Sequence, residues 1–189
     1  MSLQSVQAFL DQHAPDITIL QTPEPTATVL DAARVHGVAP AQIAKTLSLW
    51  LKDEVILLVM GGDCRLDNRR FKEHFGSKGK MLNAEEVVHW TSHPVGGVCP
   101  FGLPHTLRVF ADVSLRRFEV VLPAAGAVNA AVRISPEHLA LLTKAEWVDV
   151  AQLPEEAPSL KQLLLSDQAR FDLIAPVLRE TKRRKAEPL

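Results

Sequence analysis

Two neighbouring apolar runs dominate the hydrophobic pattern of the chain. Residues 43 to 51 and 54 to 60 are predicted strands, separated only by Lys52 and Asp53, and this spacing is typical of a hairpin. The second strand is apolar on both faces, which indicates burial on both sides. We therefore expect it to lie in the centre of a sheet.

Apolar residues at helical spacing, together with helix-start residues, predict five helices. The first covers residues 2 to 13, where Leu3, Val6 and Leu10 recur on one face. Each of the others follows a side chain that can cap free backbone amides. These helices are predicted to start at Thr28, Asp67, Asn83 and Ser135, the first three ending near residues 36, 75 and 90.

Shorter apolar segments predict the remaining strands, at residues 17 to 20, 106 to 111, 118 to 122, 128 to 134 and 146 to 150. Residues 91 to 104 are rich in glycine and proline, so they are expected to form a long shaped loop. Because helices and strands are mixed without steady alternation, the fold class is α+β or α/β with a mixed sheet.

The pattern changes near residue 150. Residues 152 to 159 are rich in proline and glutamate, as linkers are, and apolar residues at helical spacing follow, with a break near Pro176. We expect residues 1–150 to form one domain and residues 151–189 to form a C-terminal helical extension.

Composition narrows the class of protein. Of the 189 residues, 47% are hydrophobic and 23% are charged, which suits a domain with a real core and argues against a disordered chain. No apolar run approaches the ~20 residues of a membrane span, and the first residues lack a secretory signal, so we expect a cytoplasmic protein. Cys64 and Cys99 are too few for a disulfide framework and are expected to be free thiols.

Charge is balanced over the whole chain but not locally. The formal net charge of −1 excludes a protein whose whole surface is basic and binds nucleic acid. A basic cluster nevertheless lies within residues 65 to 80, and a second follows at residues 182 to 185. Either cluster is a candidate nucleic-acid contact or simply a solvated surface. The first consists of Arg65, Arg69, Arg70, Lys72, Lys78 and Lys80.

The first candidate for chemistry is Lys45. In its strand it shares a face with Ile43, Leu47 and Leu49, so it is predicted to point to the apolar side. An ammonium group there needs a partner or must line a cavity, because leaving it buried and unpaired costs several kcal/mol. The alternative is that its head reaches water at the end of the strand.

The second candidate is the glycine-rich loop of residues 96 to 102. Its glycines allow close approach of the backbone to a ligand, and N–H groups held in this way can stabilise an oxyanion. A purely structural turn is the alternative. The loop matches neither the dinucleotide-binding nor the phosphate-binding pattern, so a nucleotide cofactor is not expected.

Two other kinds of site have weaker support. Cys99 lies near His93 and His105, but no signature of a thiol enzyme surrounds it. A metal site drawn from these three residues with Cys64 and His74 matches no zinc spacing, so no metal is expected.

Four segments together resemble the YbaK family of aminoacyl-tRNA deacylases, which includes free-standing editing proteins and the editing domain of bacterial prolyl-tRNA synthetase. They are residues 42–47 around Lys45, the turn at 61–63, residues 95–103 of the glycine-rich loop, and residues 124–129. Their order and spacing match the family over roughly residues 25 to 150. The resemblance implies a single domain with a mixed, mostly antiparallel sheet flanked by helices.

The resemblance also implies an activity, the hydrolysis of the ester that joins a small wrong amino acid to a tRNA, most often a proline tRNA. It implies that Lys45 is catalytic and that no metal or organic cofactor is needed. The first basic cluster becomes a candidate surface for tRNA phosphates. The substrate-binding residues implied in this way are Thr46, Gly61, Asp63, Gly96, Gly97, Val98, Cys99, Pro100, Phe101, Gly102, Asp112, Gly126 and Asn129.

The expected partner is therefore mischarged tRNA, bound by its acceptor end. An aminoacyl-tRNA synthetase is a further candidate partner, a monomer or homodimer is the expected assembly, and no membrane association is expected. Two alternatives remain open. One is a binding module of the same fold that holds a tRNA end or an aminoacyl ligand without hydrolysis, and the other is a regulatory protein whose C-terminal helices recruit a partner.

Overall fold

The computed structural model describes residues 2–155, and within this range the chain forms five helices and ten strands. Two turns of 3-10 helix, Pro40–Gln42 and Val113–Arg117, complete this part of the chain. The helices are α1 (Ser2–His13), α2 (Val29–His36), α3 (Asn68–Phe75), α4 (Ala84–Thr91) and α5 (Pro136–Thr143). The strands are β1 (Leu20–Gln21), β2 (Ile43–Leu51), β3 (Glu54–Gly61), β4 (Arg65–Leu66), β5 (Gly79–Met81), β6 (Arg108–Asp112), β7 (Leu122–Pro123), β8 (Ala130–Ala131), β9 (Glu146–Val148) and β10 (Ala151–Gln152).

Six of the strands form a mixed sheet in the order β5-β2-β3-β6-β9, with β7 paired to β2 outside that path. β2 runs antiparallel to β3 and β5, whereas the pairs β2–β7, β3–β6 and β6–β9 are parallel. Two small antiparallel ribbons, β1–β8 and β4–β10, lie outside this sheet. The expected mixed sheet with flanking helices is confirmed.

One edge of β2 has a gap in its pairing. β3 pairs along one edge of β2, and β5 and β7 share the opposite edge. On that edge β5 pairs with Leu49–Leu51 and β7 pairs with Ile43 and Ala44. Between them, residues 45–48 have no strand partner on this edge within the described part of the chain. A single hydrogen bond, from the Leu82 amide to the Ser48 carbonyl at 3.1 Å, lies at the β5 end of the gap.

The core lies on both faces of β3, as its apolar sequence predicts. Leu57 and Val59 belong to a cluster that also takes residues from α1, α5 and the loop after α4. The alternate residues of the strand pack with Phe71 of α3 and Phe110 of β6. The central position of β3 is therefore confirmed, because burial on both faces requires covering elements on each side.

Local start signals predicted the helices well. Side chains of Thr28, Asp67, Asn83 and Ser135 each accept a hydrogen bond from a backbone amide in the first turn of the following helix. Asn83 and Glu86 form the reciprocal capping box at the start of α4. These predictions are confirmed because a cap is decided by a few neighbouring residues.

Several strand predictions are wrong in extent. The strand expected at residues 17 to 20 is only Leu20–Gln21, and those expected at 118 to 122 and 128 to 134 shorten to Leu122–Pro123 and Ala130–Ala131. β4, β5 and the 3-10 turn at Val113–Arg117 were not predicted. Short pairings of this kind depend on partners distant in sequence, which the local pattern does not show.

The end of the domain is closed by β9 and β10 rather than by one strand at residues 146 to 150. β10 pairs with β4, so regular pairing continues to Gln152, just past the boundary expected at residue 150. The predicted helical extension lies outside the described residues, and the boundary itself stays a prediction.

Asp112 holds this end of the domain together. Its carboxylate is fully buried and accepts hydrogen bonds from the amides of Ser114 (2.8 Å), Val150 (2.8 Å) and Ala151 (3.0 Å). The side chain thus joins β6, the 3-10 turn and the start of β10. Each of these buried amides would lose its acceptor if the carboxylate were removed.

We predict that Asp112→Ala lowers the free energy of unfolding by roughly 3 to 5 kcal/mol, because three buried donors lose their acceptor. Urea unfolding measures the change. Asp149→Ala is the matched control, since Asp149 is an exposed carboxylate whose ion pair with Arg70 should contribute about 1 kcal/mol or less. Equal effects of the two substitutions would contradict this role of Asp112.

Candidate active site

A cavity of about 280 Å³ opens in the gap between β5 and β7. Its floor is the middle of β2, and its walls come from three regions that are far apart in sequence. These are α2 with the segment before it, the β5–α4 region, and the loop and short strands that follow α4. Lining residues from these regions include Val29 and His36, Met81 and Val87, and Gly96 and Leu122.

Lys45 lines this cavity, and its amine is held rather than free. The Nζ atom donates hydrogen bonds to the carbonyl oxygens of Gly62, at 3.1 Å, and Cys64. Burial lowers the pKa of the amine below its ordinary value. An ammonium group has three N–H donors, so one remains after these two bonds. The alternative in which the lysine head escapes into water is therefore wrong.

The turn that accepts the lysine amine is itself rigidly placed. A Cβ at Gly62 would lie 2.4 Å from the carbonyl oxygen of Pro40, so only glycine fits there. The same position is close to the Val29 side chain and to the Ile43 carbonyl, and both of these residues line the cavity. The turn that holds the Lys45 amine therefore packs against the end of the cavity formed by Val29 and Ile43.

Asp63 and Arg117 support this turn from the other side. The Arg117 guanidinium donates two hydrogen bonds to the Asp63 carboxylate, at 2.6 and 3.0 Å, and a third to the Ser114 carbonyl at 2.9 Å. The Ser114 hydroxyl in turn accepts from the Gly61 amide at 3.1 Å. The hydrogen bond with Arg117 is the main reason that the pKa of Asp63 lies below its ordinary value.

The glycine-rich loop contributes two residues to the cavity and uses the others for packing. Gly96 and Val98 line the cavity, whereas Cys99 and Phe101 are fully buried in the core. The Gly97 amide donates to the Pro94 carbonyl at 2.9 Å. Within residues 2–155 the amides of Gly96 and Val98 donate to no acceptor, and both residues line the cavity.

The other predicted loop residues act as close-packing positions. Gly97 packs against the Ala127 backbone, and Gly102 packs against the backbone of Ser5 in α1, so a side chain at either would collide. Gly126 adopts a left-handed conformation against Ser2 of the same helix. Pro100 is buried and does not line the cavity. These residues hold the cavity wall in place rather than forming it.

The remaining predicted site residues are divided between cavity and support. Thr46 lines the cavity beside Lys45. Asn129 binds the Thr22 carbonyl at 2.9 Å and so fixes the β1–β8 ribbon, whose residues Ala130 and Ala131 line the cavity. Asp112 is not part of the cavity lining, and its carboxylate is occupied by the three amides described above.

Sequence reasoning missed several residues of the site. His36 and Ser48 line the cavity with polar groups, and Arg117 anchors the lysine turn. Ser48 follows Thr46 by two residues in β2, so strand alternation was the one signal that pointed to it. Arg117 lies 54 residues from its partner Asp63, and no local pattern connects the two.

The two cysteines are unsuited to nucleophilic catalysis. Cys99 is fully buried, and burial raises its pKa to about 12. Its neighbour His93 accepts a hydrogen bond from the Cys99 amide, and burial lowers the pKa of its imidazole to about 4. Both groups are therefore neutral near pH 7, and neither lines the cavity. Burial also raises the pKa of Cys64.

Residues 2–155 hold no group of three His, Cys, Asp or Glu side chains arranged to bind a metal ion. No helix in this part of the chain is long and apolar enough to cross a membrane.

Comparison with known proteins supplies the family. The family model for the aminoacyl-tRNA editing domain matches residues 23–142, which is more than half of the chain. The chain belongs to this family of editing domains. The resemblance to YbaK-type proteins is thereby confirmed, and the matched range contains the whole lining of the cavity.

Relatives of this editing domain occur both as free proteins and within larger ones. An uncharacterized protein of Bacillus subtilis, YwhH, is 41% identical over 80% of this chain and 98% of its own length. A proline–tRNA ligase of Citrifermentans bemidjiense is 31% identical over 54% of this chain. The matched region makes up 18% of the ligase. Among solved structures, a candidate trans-editing enzyme for prolyl-tRNA synthetase matches with a TM-score of 0.75 and 28% identity, over 80% of this chain and 97% of its own.

We predict that Asp63→Asn destabilises the editing domain more at neutral pH than at pH 3. A carboxyl group whose pKa is lowered by folding stabilises the fold above its unfolded pKa of about 3.9, and this contribution is lost as the pH falls through the folded value. Urea midpoints at pH 6.5 and pH 3 measure the difference between wild type and variant.

Asp53→Asn is the control for this experiment, because Asp53 is exposed and forms no ion pair with residues 2–155. A destabilisation by Asp63→Asn that is the same at both pH values would show that the pair with Arg117 is not its cause.

Proposed function

We propose that the protein hydrolyses the ester bond between a small, wrongly attached amino acid and the acceptor end of a tRNA, most often a proline tRNA. The observation that carries this proposal is that Lys45 lines a small cavity together with Gly96 and Val98, while two carbonyl oxygens hold its ammonium group in place. Membership of the editing-domain family supports it. The proposal places the reaction in the cytoplasm, where translation occurs.

Lys45 is the proposed catalytic residue. Two of its three N–H donors hold it in place, and the third is available to the ester or to the ribose next to it. When water attacks the ester carbonyl, negative charge develops on the carbonyl oxygen. A fixed cation stabilises this charge without the cost of reorganising solvent.

The amides of Gly96 and Val98 are the proposed second source of stabilisation. Both lack an acceptor within the described chain, and both residues line the same cavity as Lys45. Water is the proposed nucleophile, since both cysteines have raised pKa values and Cys99 lies outside the cavity. Catalysis then rests on positioning and on electrostatic stabilisation.

The size of the cavity suits an editing role. Its volume of about 280 Å³ is lined by short side chains such as Ala32, Ala44 and Val98. A synthetase discriminates poorly between amino acids that differ by one methylene, which is worth only ~1 to 3 kcal/mol. A second hydrolytic site that admits only small amino acids corrects that error.

We predict that Lys45→Ala and Lys45→Met lower kcat/KM for deacylation by about 100- to 1000-fold, the range expected when one stabilising donor is lost. Release of labelled amino acid from mischarged proline tRNA measures the rate, and thermal melting shows that each variant is folded. Lys144→Met is the control, because Lys144 is an exposed lysine outside the cavity.

The outcome also separates the enzyme from a binding module. Binding of charged tRNA by the wild type without release of amino acid would favour the module, in which Lys45 only holds the ligand. Full activity of both Lys45 variants would remove the lysine from the mechanism.

The proposed tRNA-binding surface is narrower than the basic cluster in the sequence. Arg69 forms an ion pair with Glu73, and Arg70 is paired with two aspartates. Lys78 and Lys80 are exposed and lie at or beside β5, next to the cavity residue Met81. Phosphates near the acceptor end are therefore proposed to contact the two lysines, with Arg65 and Lys72 as exposed neighbours.

We predict that the double substitution Lys78→Gln, Lys80→Gln weakens tRNA binding. It should also make the plot of the logarithm of the binding constant against the logarithm of the salt concentration shallower, by about 1 in slope for each phosphate that a lysine no longer neutralises. Fluorescence anisotropy with labelled tRNA at several salt concentrations measures both quantities. Arg69→Gln is the control, since its charge is already paired. A larger effect from Arg69→Gln than from the lysine pair would move the tRNA surface to α3.

A further inference from the structure

Residues that carry buried polar atoms without partners are concentrated around the cavity. Among residues 2–155, the buried side-chain atoms that lack a hydrogen-bond partner belong to only five residues. Three of these atoms, His36 Nε2, Thr46 Oγ1 and Ser48 Oγ, belong to residues that line the one cavity. Folded proteins leave few buried polar groups unpaired, so this concentration indicates a ligand that carries matching polar groups.

Ser48 is the most informative of the three. The residue is only 3% exposed, and its carbonyl is already paired with the Leu82 amide. The cavity residues Leu82, Val87 and Val98 form an apolar cluster over this part of β2. The Ser48 hydroxyl is thus a buried polar group beside this end of the cavity, and it has no hydrogen-bond partner within residues 2–155.

Thr46 lies on the same face of β2 as Ser48, two residues away and so about 7 Å along the strand. A hydroxyl group both donates and accepts, and therefore it binds another hydroxyl in either direction. His36 reaches the cavity from α2, on a different wall, and so it contacts a different part of the ligand.

We propose that Ser48 and Thr46 bind a hydroxyl group on the side chain of the amino acid, so that the substrates are tRNAs carrying serine or threonine rather than alanine or 2-aminobutyrate. This assignment rests on the deacylase activity proposed above. An apolar side chain of the same size leaves the two buried hydroxyls without a hydrogen-bond partner. Sites that bind a substrate hydroxyl reject the analogue that lacks it much more strongly than apolar pockets reject an extra methylene.

The test uses one proline tRNA charged with serine, alanine, threonine or 2-aminobutyrate. Within each pair, serine with alanine and threonine with 2-aminobutyrate, the side chains differ only by the hydroxyl. We expect the wild-type kcat/KM to favour the hydroxylated member of each pair by about 10- to 100-fold. Ser48→Ala and the isosteric Thr46→Val should each move this ratio toward one.

Ser77→Ala is the matched control, because Ser77 also has a buried, unpartnered hydroxyl but does not line the cavity. It should leave the ratio unchanged. Thermal melting establishes that each variant is folded. Two cavity variants are used so that one can still test the inference if the other does not fold.

The outcomes separate this inference from the proposed function. If the wild type hydrolyses both members of each pair equally, the inference about the amino acid is overturned, whereas the proposed deacylase activity stands. Ser48 and Thr46 would then bind a group that every aminoacyl-tRNA carries. A preference that neither Ser48→Ala nor Thr46→Val alters has the same consequence. Hydrolysis of none of the four charged tRNAs overturns the proposed function and the inference with it.

Discussion

The pairing of one ammonium group with two main-chain carbonyls sets the arrangement of the candidate site. A half-buried cation needs partners, and the turn after β3 supplies them at Gly62 and Cys64. Carbonyl dipoles hold the amine but do not cancel its charge, as a carboxylate would. The nearby carboxylate of Asp63 is engaged by Arg117. The positive charge of Lys45 therefore stays available to a negative group that enters the cavity.

Features decided by neighbouring residues could be predicted from the sequence. The β2–β3 hairpin and the capped helix starts were found because apolar alternation and capping side chains act over a few residues. The strands near Leu122 and Ala130 were predicted too long, since their extent depends on pairing with segments about 80 to 110 residues away. The interruption of the sheet edge at residues 45–48 was not visible in the sequence for the same reason.

The candidate site shows the same division. Lys45 was found from its place in a strand, Thr46 from the family resemblance of the segment around Lys45, and Gly96 and Val98 from the glycine-rich loop. The other loop glycines looked like ligand contacts, but their missing side chains make room for α1 and for the Ala127 backbone. A glycine required for close packing and a glycine required for binding look identical in a sequence. Only the fold tells which neighbour comes close.

At the gap in the edge of β2, one set of residues holds Lys45 in place and another set forms most of the cavity walls. The lysine turn is anchored through the short 3-10 helix at Val113–Arg117 and packs against Val29, whereas most of the other wall residues, such as Val87 and Val98, come from segments that take no part in that anchoring. Substitutions at distant positions generally act independently. Wall residues away from the turn can thus be exchanged while the Lys45 amine keeps its partners, so that one scaffold can accommodate ligands of different shape.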